Sequence, residues 1–308
     1  MNSKVFLKPC PACKEKRADT ERVLNDTELL RCVRCGFVYA NLEDERIKEV
    51  NFNYDEEAIA KYKERQTFID SLWFKSIVKR LSNMAGKGKV LDVGCGNGTL
   101  LKYFVDQKWE AYGIDASPWA KEFAQKYGYT LYSGELEKSG LPENHFDVIT
   151  STSTLEHIVQ PYQHVKEIMR ALKPGGIAYF SGIPNYGSLA IKLNMSSFYH
   201  NTPPGHANYF THKSIRWLFS NTDIAESVKK LSITSYGIPE SHRLYFIIRE
   251  FTRKRTGKPA PEEKDVSGKA AETASQKILA AVLIAIYYNL GRLFYLGDRL
   301  EVIAIKRD

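Results

Sequence analysis

Val90-Leu91-Asp92-Val93-Gly94-Cys95-Gly96-Asn97-Gly98 carries the reading of the fold. The first four residues make a short buried strand, and the alternating glycines let the backbone approach a ligand closely. A helix is expected next, because Leu100, Leu101, Phe104 and Val105 recur on one face. The following apolar run, Ala111 to Ile114, stops at Asp115, 17 residues past Gly98, where a carboxylate can hold both hydroxyls of a ribose. Nicotinamide-binding loops read GxGxxG. Here Gly94, Gly96 and Gly98 alternate and Asp92 precedes them, which suits a cofactor without a pyrophosphate.

Working outward, Tyr129–Tyr132, Phe146–Thr150 and Ile177–Ser181 read as further strands, the last of them after the turn Lys173-Pro174-Gly175-Gly176. Pro118 suits the first turn of an intervening helix. Residues 55–83 read as helical, with Ile69, Leu72, Trp73, Ile77 and Leu81 at helical spacing, and Glu301–Lys306 as a closing buried strand. Strands alternating with helices at this spacing predict an α/β, doubly wound parallel sheet.

Composition sets the outer bounds. A chain of 308 residues with 43% hydrophobic and 26% charged content excludes wholesale disorder, collagen and coiled coil. Lys and Arg exceed Asp and Glu by 44 to 36, a net of +8, which permits an anionic partner without demanding one. The opening Met1–Lys8 has only Val5-Phe6-Leu7 as an apolar run, too short for a secretory signal, so a cytoplasmic protein is expected.

Four of the five cysteines form two pairs, Cys10/Cys13 and Cys32/Cys35, with 18 residues between them. In a reducing compartment this spacing predicts a zinc ribbon with tetrahedral thiolate ligation instead of disulfides or redox dithiols. Four cysteines leave no open position on the metal, so the expected zinc is structural. Cys95, inside the glycine loop, is not a ligand on this reading.

The chain resembles the class I S-adenosylmethionine-dependent methyltransferases over residues 88–181, through VLDVGCGNG, YGIDAS, FDVITSTSTLEHI and LKPGG in that order. The resemblance implies a Rossmann-like seven-stranded sheet with an antiparallel last strand. It places Asp92, Gly94, Cys95, Gly96 and Gly98 beneath the methionyl part of S-adenosylmethionine. Asp115 would then lie at the ribose, Ala116 against the adenine, and Glu135 with Leu136 at the adenine edge. Many members carry Asp where Glu135 stands. The implied organisation is a ribbon over 1–45, a core over 46–242, a linker and helical cap insertion over 243–298, and the last core strand over 299–308.

For the acceptor, Thr152-Ser153-Thr154-Leu155 stands where amino-group methylases carry an Asn/Asp-Pro-Pro-Tyr motif, which counts against base or amide N-methylation. Glu156-His157-Ile158 instead resembles ubiquinone-type O-methyltransferases and zinc-bearing sugar methyltransferases. A neutral His157 can take the proton of an attacking hydroxyl; the other reading is that Glu156-His157 caps a helix and orders the cofactor. Pro203-Pro204-Gly205-His206-Ala207-Asn208-Tyr209-Phe210-Thr211 offers His206 and Tyr209 as substrate contacts, with Phe210 packing and Thr211 capping a helix from His212. The resemblance implies O-methylation of a hydroxyl on a sugar, nucleotide- or lipid-linked sugars included, or on a small metabolite. Sugar C-methylation, RNA methylation and a non-catalytic adaptor are the alternatives. The ribbon's near-neutral charge disfavours nucleic acid.

Residues 252–276 are charged and proline-bearing, as in a linker. Gln276–Leu296 holds 11 consecutive apolar residues from Ile278 to Tyr288, too few to span a bilayer. Its apolar residues surround the helix, so it must be buried in protein or against lipid. The basic cluster Arg249, Arg253, Lys254, Arg255 and Lys258 raises contact with the inner membrane surface as the second of those options.

Overall fold

The computed structural model describes residues 8–52, 68–192, 203–236 and 295–308. The linker and helical cap expected over 243–298, the basic cluster and nearly all of the apolar segment 276–296 lie outside these residues. Among the described residues, no helix is long and apolar enough to cross a membrane.

The ribbon comprises β1 (Ala18–Leu24), β2 (Thr27–Cys32) and β3 (Val38–Ala40). β1 and β2 form an antiparallel hairpin around Asn25-Asp26, both left-handed (φ 46° and 57°), the geometry that twist-matched two-residue turns require. A helix, α1 (Asp44–Phe52), leaves the ribbon, and α2 (Phe68–Ala85) leads into the core. Next come β4 (Lys89–Val93), α3 (Thr99–Asp106), β5 (Glu110–Asp115), α4 (Ala120–Tyr127) and β6 (Thr130–Ser133). They are followed by β7 (Phe146–Thr152), α5 (Pro161–Ala171), β8 (Leu172–Pro184) and α6 (Leu189–Lys192). The chain continues through β9 (Asn208–Tyr209), α7 (His212–Ser220), α8 (Ile224–Ser227), β10 (Val228–Tyr236) and β11 (Arg299–Lys306).

Seven of these strands form one sheet in the order β10-β11-β8-β7-β4-β5-β6. β4 to β8 run parallel, and β11 lies antiparallel to both of its neighbours. Alternation along each central strand feeds two separate layers. Val90, Val148, Tyr179 and Ile303 join Ile77, Val78, Leu81, Leu101 and Phe104 on one side. Leu91, Ile149, Phe180 and Val302 join Val165, Ile168, Ile215 and Leu218 on the other. Both faces are therefore covered, which is why the central strands read as continuous apolar runs.

The second sheet, β1-β2-β3-β9, joins the ribbon to the core. β9 comes from the segment after β8, pairing Val38 with Tyr209 and Tyr39 with Asn208. The ribbon is too small to bury a core of its own. Its Leu30, Phe37 and Tyr39 instead belong to the same buried cluster as Val165, Phe180 and Phe210. Phe37 meets Phe210 edge to face with ring centroids 5.0 Å apart. Thr211 caps α7 in a reciprocal box with Ser214, as expected, and fixes where Phe210 enters this core.

Phe210→Ala removes the aromatic plug between ribbon and sheet. It should cost roughly 3–5 kcal/mol in urea unfolding, the range for a fully buried Phe. A loss below about 1 kcal/mol would mean that the shared core does not hold the ribbon.

Candidate active site and cysteine cluster

The parallel strands end at a cavity of about 690 Å³. Its wall includes Gly94 and Gly96 after β4, Asp115 and Ala116 after β5, Glu135 and Leu136 after β6, and Ser153, Thr154 and His157 after β7. This is where ligands bind in open doubly wound sheets. The turn after β4 is shaped by necessity. Gly94 is left-handed, and a Cβ there would lie 2.4 Å from Thr154 Oγ1; Gly98 is likewise left-handed, with Tyr129 2.6 Å from an added Cβ.

Asp115 is held by two backbone donors, Gly96 N to Oδ2 (2.7 Å) and Ser117 N to Oδ1 (2.8 Å). These bonds fix the carboxylate at the cavity wall, and each oxygen keeps a second lone pair for a diol. Glu135 is paired with Lys138 (2.6 Å) and with Lys48 of α1 (3.0 Å), and together they hold its carboxyl below the usual range. The glycine cradle, the anchored acid and the cavity fit S-adenosylmethionine.

The other expected cofactor residues lie behind this wall. Asp92 is buried and accepts from Thr150 Oγ1 (2.6 Å), and burial raises its carboxyl to about 7. Cys95 is buried, and Gly98 opens α3; neither lines the cavity.

His157 has the most constrained geometry of the site. Its Nδ1 faces two oxygens, Gly205 O at 2.7 Å and Asn51 Oδ1 at 3.2 Å, while Asn51 Nδ2 donates to His157 O (3.3 Å). Both oxygens can only accept, so Nδ1 carries the proton and Nε2 keeps its lone pair. His206 packs edge to face on the His157 ring at 4.6 Å. Burial, reinforced by the positive charge of Arg299, lowers His206 to about 3 and keeps it neutral. Glu156 is fully buried, its Oε2 has no hydrogen-bond partner, and burial raises its carboxyl. Glu156, His157 and His206 each bring one ligand-type atom within 4.8 Å of the others.

Only His157 of the expected catalytic residues lines the cavity. Tyr209 packs in the ribbon with Leu29, Val38 and Ala40 and has its hydroxyl buried. Asp44, Lys48 and Asn51 also line the cavity and went unnoticed in the sequence. Their spacing on α1, at i, i+4 and i+7, was the available signal.

Both cysteine knuckles close on a left-handed residue, Lys14 after Cys13 and Gly36 after Cys35. The four sulfurs converge, with Cys10–Cys35 at 3.6 Å and Cys13–Cys32 at 3.5 Å. A tetrahedron with Zn–S bonds of about 2.3 Å has edges of about 3.8 Å, so the cluster fits zinc.

A family described as a methyltransferase domain matches residues 62–225, more than half of the chain. The chain belongs to the methyltransferase domain family. It is 35% identical over 119 residues to the mitochondrial ubiquinone biosynthesis O-methyltransferase of Schizosaccharomyces pombe, covering 36% of this chain and 43% of the relative. It is 36% identical over 109 residues to the ubiquinone biosynthesis O-methyltransferase of Pseudomonas fluorescens, covering 33% and 46%. The matches thus span less than half the length of these relatives. A SAM-dependent methyltransferase from Archaeoglobus fulgidus aligns with a TM-score of 0.50 at 16% identity, over 82% of this chain and 100% of that one. The plantazolicin methyltransferase BpumL, in complex with SAH, aligns with a TM-score of 0.53 at 16% identity, over 85% and 95%. These likenesses show the class I fold of the methyltransferase family.

Two outcomes test the site. Asp115→Ala should weaken S-adenosylhomocysteine binding by roughly 1–3 kcal/mol in calorimetry, the loss expected for a charged hydrogen-bond acceptor; unchanged affinity would remove Asp115 from the site. Asp92 reports through stability. Its carboxyl moves from an ordinary 3.8 to about 7 on folding, so below about 4 its contribution is fully present, and it is lost as pH rises through about 7. Asp92→Asn cannot ionise, so its stability relative to the parent should rise across that window. Parallel curves in urea unfolding would contradict the burial of a neutral acid there.

Proposed function

We propose that the protein transfers a methyl group from S-adenosylmethionine to a hydroxyl of a small acceptor molecule, with His157 as general base. The observation that carries this reading is the arrangement at His157: two acceptor oxygens occupy Nδ1, so the unprotonated nitrogen is Nε2, on a side chain that lines the same cavity as Asp115 and Gly96. When bound, S-adenosylmethionine supplies an electrophilic methyl on a positively charged sulfur. The chain contributes position. Asp115 would hold the ribose hydroxyls, the turn from Gly94 would admit the methionyl part, and the segment Ser153–His157 after β7 lines the same cavity.

His157 Nε2 takes the proton of the acceptor hydroxyl as its oxygen attacks in line. His206 stays uncharged beside it, so no second imidazolium opposes the charge that His157 gains. Holding both reactants in this geometry supplies most of the acceleration, because the donor is already reactive. The ubiquinone biosynthesis O-methyltransferases among the relatives support oxygen as the acceptor atom. Sugar hydroxyls remain within the proposed acceptor class. The proposal extends to one structural zinc on Cys10, Cys13, Cys32 and Cys35, supported by the converging sulfurs. Metal analysis should return one zinc per chain, and Cys13→Ser should lower both metal content and stability. A stable, zinc-free protein would remove the metal from the account.

Incubation with methyl-labelled cofactor and separate panels of phenols, sugars, nucleotide sugars and RNA tests the acceptor. Label on a small-molecule oxygen is expected; label on RNA or on carbon would overturn the reading. His157→Ala should depress kcat by ~10²–10⁴, the usual contribution of a general base, with cofactor affinity nearly unchanged. Undiminished turnover in that variant would remove His157 from the chemistry.

A further inference from the structure

The two groups that hold His157 Nδ1 come from the helix that leaves the ribbon and from the core segment that pairs with it. Asn51 stands in the last turn of α1, the helix that leaves the ribbon after β3. That helix is tied back to the cysteine knuckles through Lys8, whose ammonium pairs with Asp44 at 2.7 Å and whose amide donates to Asn41 Oδ1 at 3.0 Å. Tyr39 of β3 closes the tie by donating its hydroxyl to Lys8 O at 2.9 Å.

Gly205 lies just before β9, the strand that pairs with β3, and Ala40 N donates to Ala207 O at 2.9 Å. The same segment grips the backbone on either side of His157. Ala207 N donates to Glu156 O (2.9 Å), and Asn208 Nδ2 donates to Leu155 O (3.2 Å) and Ile158 O (2.6 Å).

We propose that Asn51 is a positioning residue for His157, acting with the Gly205 carbonyl to keep the proton on Nδ1 and the lone pair on Nε2, so that the ribbon is part of the catalytic apparatus. This rests on the reading of His157 as the base. Asn51 is suited to the task because its amide makes two directional bonds at once, one to the ring and one to the main chain of the same residue. The opposite orientation of the amide would set its oxygen against His157 O and its NH₂ against an N–H. One orientation alone satisfies every group, and it specifies the tautomer. Without that amide the ring keeps Gly205 alone and loses the restraint that ties it to its own backbone.

Imidazole nitrogen NMR on the full, metal-loaded chain with labelled histidine tests this, with the His157 signals assigned by their loss in His157→Gln. The parent should show the proton on Nδ1. Asn51→Ala should shift the His157 nitrogen resonances and reduce the preference for the Nδ1–H form roughly fivefold, the value of one lost neutral hydrogen bond. Asn51→Asp loses the donor to His157 O but keeps an acceptor oxygen toward Nδ1, so the Nδ1–H form should persist. A single cooperative urea-unfolding transition shows that Asn51→Ala is folded. A parental proton on Nε2, or His157 signals unmoved in folded Asn51→Ala, overturns the proposal. Because this readout needs no methyl acceptor, it is separate from the kcat of His157→Ala, which tests the base itself. A correct tautomer with unimpaired turnover in His157→Ala would fault the base, and the reverse pattern would fault Asn51.

Discussion

A two-residue ladder, Val38 with Tyr209 and Tyr39 with Asn208, connects the ribbon to the sheet, and much of the site depends on it. It sets the height of the segment 203–211 over the ends of β7 and β8. Gly205 then meets the His157 ring, and Asn208 meets the carbonyls of the turn that carries it. The ladder is short, yet it is flanked by Phe37 and Phe210, whose burial makes separation of the two parts expensive. Apolar packing supplies the attachment, and hydrogen bonds on its edge supply the register.

Electrostatics at the cavity follow a division between two neighbouring acids. Asp92 is enclosed by protein and raised to about 7, so near neutrality it gives up much of its charge. Asp115 is anchored by two amide donors at the cavity wall. Burial is the main cause of the rise at Asp92, and the charge of Asp115 adds to it. Asp115 stands at the wall, while Asp92 lies behind it and accepts from Thr150 across the β4–β7 pair.

The central sheet was legible because its signals are local. A run such as Val90–Val93 followed by alternating glycines specifies a strand and its sharp exit within nine residues, and Asp115 follows at the next strand end. β1 and β10 were missed for opposite reasons. β1 is a polar strand with no buried residue (Ala-Asp-Thr-Glu-Arg-Val-Leu), held by pairing with β2, and β10 is an edge strand with an irregular apolar pattern. The ribbon's cysteines declared their cluster, but nothing local in residues 203–210 announces β9, because a two-residue strand has no periodicity to read. Tyr209 illustrates the limit. A tyrosine on a loop near a cofactor site suggests substrate contact, whereas strand pairing turns its ring into the ribbon.

Helix α1 shows how a non-local site can still follow a local rule. Asp44, Lys48 and Asn51 recur at i, i+4 and i+7 and share one face, and that face covers the cavity. Lys48 reaches Glu135 at the end expected to hold adenine, and Asn51, one turn on, reaches His157 at the end expected to hold the acceptor. The rise of a helix over three residues is about 4.5 Å, so one rigid turn fixes the spacing between the two contacts. A shift of α1 that moved Lys48 would carry Asn51 with it. The ribbon thus bears on both ends of the cavity through one helical face, which Lys8, two residues before Cys10, ties back by pairing with Asp44.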